Sequence, residues 1–248
     1  MKKLLFFSCL LIFLSCKQEK KSLVKITAKT IGVDSTLQSN KEIENVVAPF
    51  REKMIASINT VISYTDKDLV RTDGELESSL GNLMADLSYE RGNPVFNKLS
   101  GKNIDFAMFN YGGIRAGIPA GKVTNKHAFE LMPFENSLVV VELTPEKINE
   151  LINYLIVNKK AHPLSKHIKL IINNDSYELL INNKPLDDTR NYYVITSDYL
   201  QSGGDKMDFF KNPVNLFKLD YKVRTAIIDY FKSKDTLTSN LDGRFKKM

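Results

Sequence analysis

The sequence predicts a mixed α/β fold, and three observations carry that expectation. Apolar residues recur at helical spacing in several segments. Between them lie short runs of β-branched and aromatic residues whose length suits strands. Clusters of glycine, proline and asparagine separate the two kinds of segment. The chain has 248 residues, 43% hydrophobic and 26% charged, enough for a sizeable core in one or two domains.

The first 15 residues read as a leader. Lys2 and Lys3 precede an apolar run, the layout of a secretory signal that is short for a membrane span. The run closes on Leu14-Ser15-Cys16, which resembles a bacterial lipobox. The resemblance implies cleavage before Cys16, lipid on Cys16, and anchoring to the cell envelope on its periplasmic or surface side. Phe13 stands where an aliphatic residue is usual, and ordinary secretion with an incidental cysteine is the alternative. Both cysteines, Cys9 and Cys16, fall in or at the end of this leader, so the folded part has no disulfide or thiol chemistry to offer. Residues 16–39 are polar and read as a tether, with one strand expected at 24–30. Residues 40–248 read as the folded domain.

Within that domain each element has its own signal. Asn40 caps a helix carrying Ile43, Val46, Val47, Phe50, Met54, Ile55 and Ile58, and Pro49 bends it or marks its start. Leu80, Leu83, Met84 and Leu87 form the face of a second helix, with Gly92-Asn93-Pro94 as its stop. Residues 104–110 (IDFAMFN) read as a buried strand, and residues 120–136 hold a short helical piece. SLVVVEL, 137–143, is a strand. Thr144 as cap and Pro145 at the first helical position start a helix that buries Ile148, Leu151, Ile152 and Leu155. A hairpin turns around Asn173-Asn174-Asp175, residues 191–200 form a strand, 201–210 a glycine loop, and 223–234 a closing helix.

Several kinds of chemistry have no motif here. The three histidines, His127, His162 and His167, form no H-x-H, D-x-H or H-E-x-x-H pattern, and they read as surface or structural residues. A two-metal phosphoesterase needs Asp, His and Asn ligands grouped on loops, and no such group can be assembled. G-x-S-x-G, the P-loop and G-x-G-x-x-G are absent. The formal charge of +6, or +4 without Lys2 and Lys3, comes with no arginine-rich stripe, so a nucleic-acid polymer is not an expected partner.

Two glycine loops remain, each after an apolar strand. In Asn110-Tyr111-Gly112-Gly113-Ile114-Arg115, glycines let backbone approach a ligand. Arg115 offers a two-pronged contact to phosphate or carboxylate, and Asn110 offers a donor and an acceptor. In the second loop Tyr199 offers a ring and Asp205 an acceptor for two sugar hydroxyls, while Phe134 stands just before a strand. Two rings, an amide, a guanidinium and a carboxylate are the parts of a nucleoside clamp. Two tight turns and a core phenylalanine would read the same way.

The blocks ESSLGNLMADL, IDFAMFNYGGIRAGIPAGKVTNKHAFELMPFENSLVVVELTPEKI, VITSDYLQSGGDKMDFF and the final DGRF resemble the C-terminal domain of the bacterial and animal 5′-nucleotidase family, which includes UDP-sugar hydrolase and ecto-5′-nucleotidase. The resemblance runs from about residue 40 to the end. It implies a four-layer α/β/β/α domain that binds substrate, paired in relatives with an N-terminal two-metal phosphoesterase domain. It implies Asn110 for the base, Arg115 for phosphate, Phe134 and Tyr199 as stacking rings and Asp205 for the ribose hydroxyls. Arg71 stands for a further phosphate-binding arginine, although Asp73-Gly74-Glu75-Leu76 disturbs the alignment there. Tyr111 and Glu135 replace family glycines, which puts the shape of the loops in question. Ser78, Leu80, Asn82 and Asp86 read as residues that cap and pack a helix.

Three functions follow as expectations. The first is the nucleotide-recognition part of an extracytoplasmic 5′-nucleotidase, with divalent metals and catalysis on a separate metallophosphatase partner and no cofactor in this chain. The second is a lipoprotein that binds nucleosides or nucleotides without catalysis. The third is an adhesion or assembly role for a domain whose clamp has lapsed.

Overall fold

The computed structural model describes residues 22–174 and 176–248, so the leader and Cys16 lie outside the described residues. The chain divides into two units, Met1–Val47 and Ala48–Met248. Residues 22–40 hold no helix or strand; the strand expected at 24–30 does not form, because no other segment pairs with it. Helix α1, Lys41–Ile58, follows, with Asn40 Oδ1 accepting from the N–H groups of Glu42 (2.9 Å) and Ile43 (3.3 Å). Pro49 lies inside it, and its apolar residues Val46, Phe50, Met54 and Ile55 are exposed. Among the described residues no helix is long and apolar enough to cross a membrane.

The second unit holds all the described sheets. Strand β1 (Val61–Thr65) leads to α2 (Ser79–Ser100), β2 (Phe106–Ala107), β3 (Gly121–Thr124), α3 (Asn125–Leu131) and β4 (Ser137–Leu143). Then come α4 (Pro145–Asn158), β5 (Ile168–Ile172), β6 (Tyr177–Ile181), β7 (Tyr192–Ser197), β8 (Asn215–Lys222), α5 (Val223–Lys232) and β9 (Phe245–Lys247). The strands make a pair β1-β3, a central sheet β2-β7-β4-β8 and a three-stranded sheet β6-β5-β9. Mixed α/β is thus the fold class. Strand β4 buries Leu138 through Leu143, the near-continuous apolar run of a strand covered on both faces. It pairs antiparallel with both β7 and β8. Helix α4 packs on β4 through the expected stripe of Ile148, Leu151, Ile152 and Leu155, all fully buried.

Helix α2 departs from expectation. It runs straight through Gly92-Asn93-Pro94 and stops at Gly101, whose φ is 71°. Proline removes one hydrogen bond, but packing outweighs that loss, for Phe96 beyond it is fully buried. Gly92 is a point of contact rather than a stop: a Cβ there would lie 2.2 Å from Ile195 Cδ1 on β7. The strand expected at 104–110 shrinks to two residues, and the strand at 191–200 ends at Ser197, where Asp198–Gln201 turn into a helix. Strands β1, β3, β8 and β9 were not anticipated. Strand β8 reads NLFKLDYK, with five of its eight residues exposed, too little apolar pattern to signal a strand.

Ser78, Leu80, Asn82 and Asp86 hold the fold as expected. Ser78 caps α2, its Oγ accepting from Gly81 N–H at 3.0 Å, and Leu80 is fully buried. Asn82 donates to Glu77 Oε2 and to the Asn240 carbonyl, each at 2.9 Å. Asp86 accepts from Arg244 at 3.0 and 3.1 Å. Arg244, 6% exposed, also reaches Asp242 and the Leu164 carbonyl, tying the C-terminal DGRF segment to α2.

Candidate functional site

The central sheet explains why two loops far apart in sequence meet. Strands β2 and β7 are parallel hydrogen-bonded neighbours, with Ala107 opposite Ile195. Their C-terminal ends therefore lie side by side, and both glycine loops leave from that edge, where open α/β sheets commonly bind ligands. Strand β4 runs antiparallel to β7, with Leu138 opposite Ser197. Its N-terminal end is thus at the same edge and delivers Phe134 there. Five expected residues, Asn110, Arg115, Phe134, Tyr199 and Asp205, line one cavity of about 290 Å³ together with Gly112, Gly113 and Asn136.

Phe134 is 43% exposed and Tyr199 44%, so neither ring is a core residue. Large aromatics left half-bare on a cavity wall suit stacking on a planar ligand. Asp205 lies between the loops. One of its carboxylate oxygens accepts from Asn110 Nδ2 at 2.7 Å, the other from the Tyr199 hydroxyl at 3.0 Å. The Tyr199 bond to Asp205 holds that phenol above its usual range. Asp205 itself takes φ 53°, a left-handed conformation that aspartate tolerates better than most residues. Glycine at 204 lets the Tyr199 ring lie against the backbone, since a Cβ there would sit 2.4 Å from Tyr199 Cε1 and displace the ring.

Arg115 fixes the cationic side. Its backbone N–H donates to the Leu131 carbonyl at 3.0 Å, and Nη1 donates to the Gly112 carbonyl at 3.3 Å. Its guanidinium stands 5.9 Å from the centre of the Phe134 ring. One wall thus carries a cation with donors to spare and the other a carboxylate, about the demands of a nucleoside phosphate.

Arg71 has a different place. It does not line this cavity; Nη1 donates to the carbonyls of Ile114 (2.6 Å) and Tyr111 (3.3 Å), and the guanidinium covers the Tyr111 ring at 4.5 Å. It braces the Asn110 loop from behind. Tyr111 and Glu135, which replace family glycines, do not line the cavity either. Tyr111 is held by Arg71, and Glu135 pairs with Arg224 at the start of α5. Arg224 also donates to the carbonyls of Met132 (3.2 Å) and Phe134 (3.3 Å), anchoring the Phe134 segment. Sequence reasoning passed over Arg224, Asn136 and Tyr154, and read His162 only as a surface or structural residue; none sits in a glycine loop.

Among the described residues no three His, Cys, Asp or Glu side chains are placed to hold a metal ion. The histidines have other partners: His127 accepts from Thr124 N–H, His162 from Tyr111 N–H, and His167 stacks on Tyr89. The two-metal site that the family resemblance implies for a partner domain is not assembled among the described residues.

The sequence pattern described as 5′-nucleotidase, C-terminal domain, matches residues 55–212, and the chain belongs to that family. A 5′-nucleotidase from Vibrio parahaemolyticus is 27% identical over 235 residues, covering 90% of this chain and 39% of its own length. The chain therefore spans well under half of that relative. In structure it is similar to a 5′-nucleotidase precursor from Thermus thermophilus (TM-score 0.67, 22% identity, 83% of this chain and 43% of that one). It is also similar to the Haemophilus influenzae NAD nucleotidase (TM-score 0.61, 16% identity, 84% and 42%).

Proposed function

We propose that this chain is the nucleotide-recognition part of an extracytoplasmic 5′-nucleotidase. The single observation behind this reading is the convergence of Asn110, Arg115, Phe134, Tyr199 and Asp205 on one cavity. In this reading a nucleobase stacks between Phe134 and Tyr199, with Asn110 at its edge. Asp205 accepts the ribose hydroxyls, and Arg115 meets the phosphate. Arg71 contributes by fixing the loop. A two-metal phosphoesterase on a separate chain supplies the metals and the attacking water, in keeping with relatives that are much longer than this chain. Lipid on Cys16 holds the assembly at the envelope, periplasmic or surface side.

The test is capture of the lipidated chain with its native envelope partners, followed by AMP hydrolysis with and without chelator. The expected result is co-isolation of a metal-dependent phosphoesterase whose activity on AMP falls when the chain carries Phe134→Ala. Capture with no phosphoesterase, repeated under mild crosslinking, overturns it.

A second reading is a nucleoside- or nucleotide-binding lipoprotein without catalysis. It expects saturable adenosine or AMP binding with no partner able to turn the ligand over.

A further inference from the structure

Asn110 is pinned from both sides by one short segment outside the two glycine loops. The N–H of Phe109 donates to the Pro163 carbonyl at 2.9 Å, and the N–H of Tyr111 donates to His162 Nδ1 at 3.1 Å. The two residues flanking Asn110 are thus tied to the two residues 162 and 163, which follow helix α4. His162 is only 4% exposed. Its ring lies 5.5 Å from that of Tyr154 on α4, and the Tyr154 hydroxyl donates to the Asp205 carbonyl at 3.0 Å. One buttress, α4 and the turn after it, therefore supports both halves of the clamp.

We infer that His162 is a positioning residue of the nucleoside clamp, holding Asn110 toward Asp205 by accepting the Tyr111 N–H. This deepens the reading given under Proposed function and rests on it for the ligand.

The chemistry requires a neutral ring. Only an unprotonated Nδ1 accepts, so the ring proton belongs on Nε2. Nε2 is buried with no hydrogen-bond partner, and the residue borders a second cavity together with Gly112 and Asp205. No carboxylate bonds the ring to stabilise a second proton. Burial outweighs the distant attraction of Asp205, and Lys160 acts in the same direction as burial. The ring is therefore a fixed acceptor across the neutral range. Tyr111 N–H has few alternatives, because the 3₁₀ turn of residues Tyr111–Gly113 begins there and leaves its first N–H groups without partners inside the turn.

The experiment compares His162→Asn, His162→Phe and the unaltered full chain. Asparagine places Oδ1 close to where Nδ1 sits and keeps an acceptor; phenylalanine keeps the ring and removes it. The first readout is adenosine and AMP calorimetry. We expect His162→Phe to weaken binding roughly tenfold and His162→Asn to stay within about threefold, the usual size of one lost buried acceptor. The second readout is hydrogen exchange at the Tyr111 amide, which needs no ligand. Exchange is expected to quicken in His162→Phe and to stay slow in His162→Asn. Equal binding and equal Tyr111 exchange in all three chains overturns the inference. If the unaltered chain binds no nucleoside or nucleotide, the functional reading fails, and the exchange pattern still decides whether His162 holds the loop.

Discussion

Asn110 and Asp205 lie 95 residues apart and share a 2.7 Å hydrogen bond across the mouth of the cavity. With the Tyr199 hydroxyl on its other oxygen, Asp205 is held in place from both loops, and each oxygen keeps room for a further donor. In the proposed reading the ribose hydroxyls add to these two donors or replace them around one prearranged carboxylate.

Asp205→Ala should therefore weaken adenosine binding by roughly 10- to 100-fold, the scale of hydrogen bonds to a charged group. The loss should vanish for 2′,3′-dideoxyadenosine, which has no hydroxyl to offer. Calorimetry on the two ligands with both chains closes the cycle. An equal loss for both ligands would mean that Asp205 only supports the loops.

Phe134→Ala and Tyr199→Ala should each cost about tenfold in affinity, as stacking on one ring is worth roughly 1–3 kcal/mol. Tyr199→Phe separates the ring from the hydroxyl. It keeps the stack and frees one Asp205 oxygen, so its affinity should stay near that of the unaltered chain. Unchanged binding in both alanine variants would remove the rings from the site.

Gly204→Ala tests the same wall through the backbone. The new Cβ would sit 2.4 Å from Cε1 and 2.5 Å from Cζ of Tyr199, so the ring must swing away. Thermal unfolding should shift little because Tyr199 is half-exposed, while adenosine affinity should fall as far as in Tyr199→Ala. Full affinity in Gly204→Ala would show that the ring's resting position does not matter.

The residues that line the candidate site were more legible in the sequence than those that support it. Asn110, Arg115, Phe134, Tyr199 and Asp205 stand in glycine- and proline-marked loops, and such punctuation is local. The central strand β4 and the buried stripe of α4 were legible for the same reason, since their patterns are complete within a few residues. What was not legible depends on tertiary contact. Pro94 looks like a stop until Phe96 is seen buried beyond it. Arg71 reads as a phosphate ligand from its place in the chain, and that its Nη1 donates to the Ile114 carbonyl emerges only in the fold. His162 offers no pattern at all, because its partner is a backbone N–H 51 residues away.

Arg244 carries a stability prediction. It is buried between Asp86 and Asp242, with bonds of 3.0 and 2.6 Å from Nη2. Removing it leaves two carboxylates facing each other without a cation. Arg244→Ala should therefore destabilise the fold by about 2–3 kcal/mol, less than for a fully buried pair broken from one side, because the carboxylates left behind are 26% and 45% exposed. Asp86→Asn with Arg244→Met should recover part of that loss. Denaturant midpoints measure both, and additive losses would show that Arg244 and Asp86 do not act as a unit.

His162 sets the expected dependence of stability on pH. Burial lowers it from the ordinary 6.5 to about 4, with Lys160 adding to the effect and Asp205 opposing it. The unfolded chain takes up this proton near pH 6.5 and the folded chain near pH 4. Between those values the unfolded state binds more protons, so stability rises with pH through this window. The contribution is complete above about pH 6.5 and is lost as pH falls toward 4, amounting to on the order of 3 kcal/mol at full span. His162→Asn has no proton to take up there, so its unfolding free energy should be flatter than that of the unaltered chain between pH 6.5 and 4. Parallel curves for the two proteins would mean that the ring takes up its proton as readily in the folded chain as in the unfolded one, and so does not serve Tyr111 as a buried neutral acceptor.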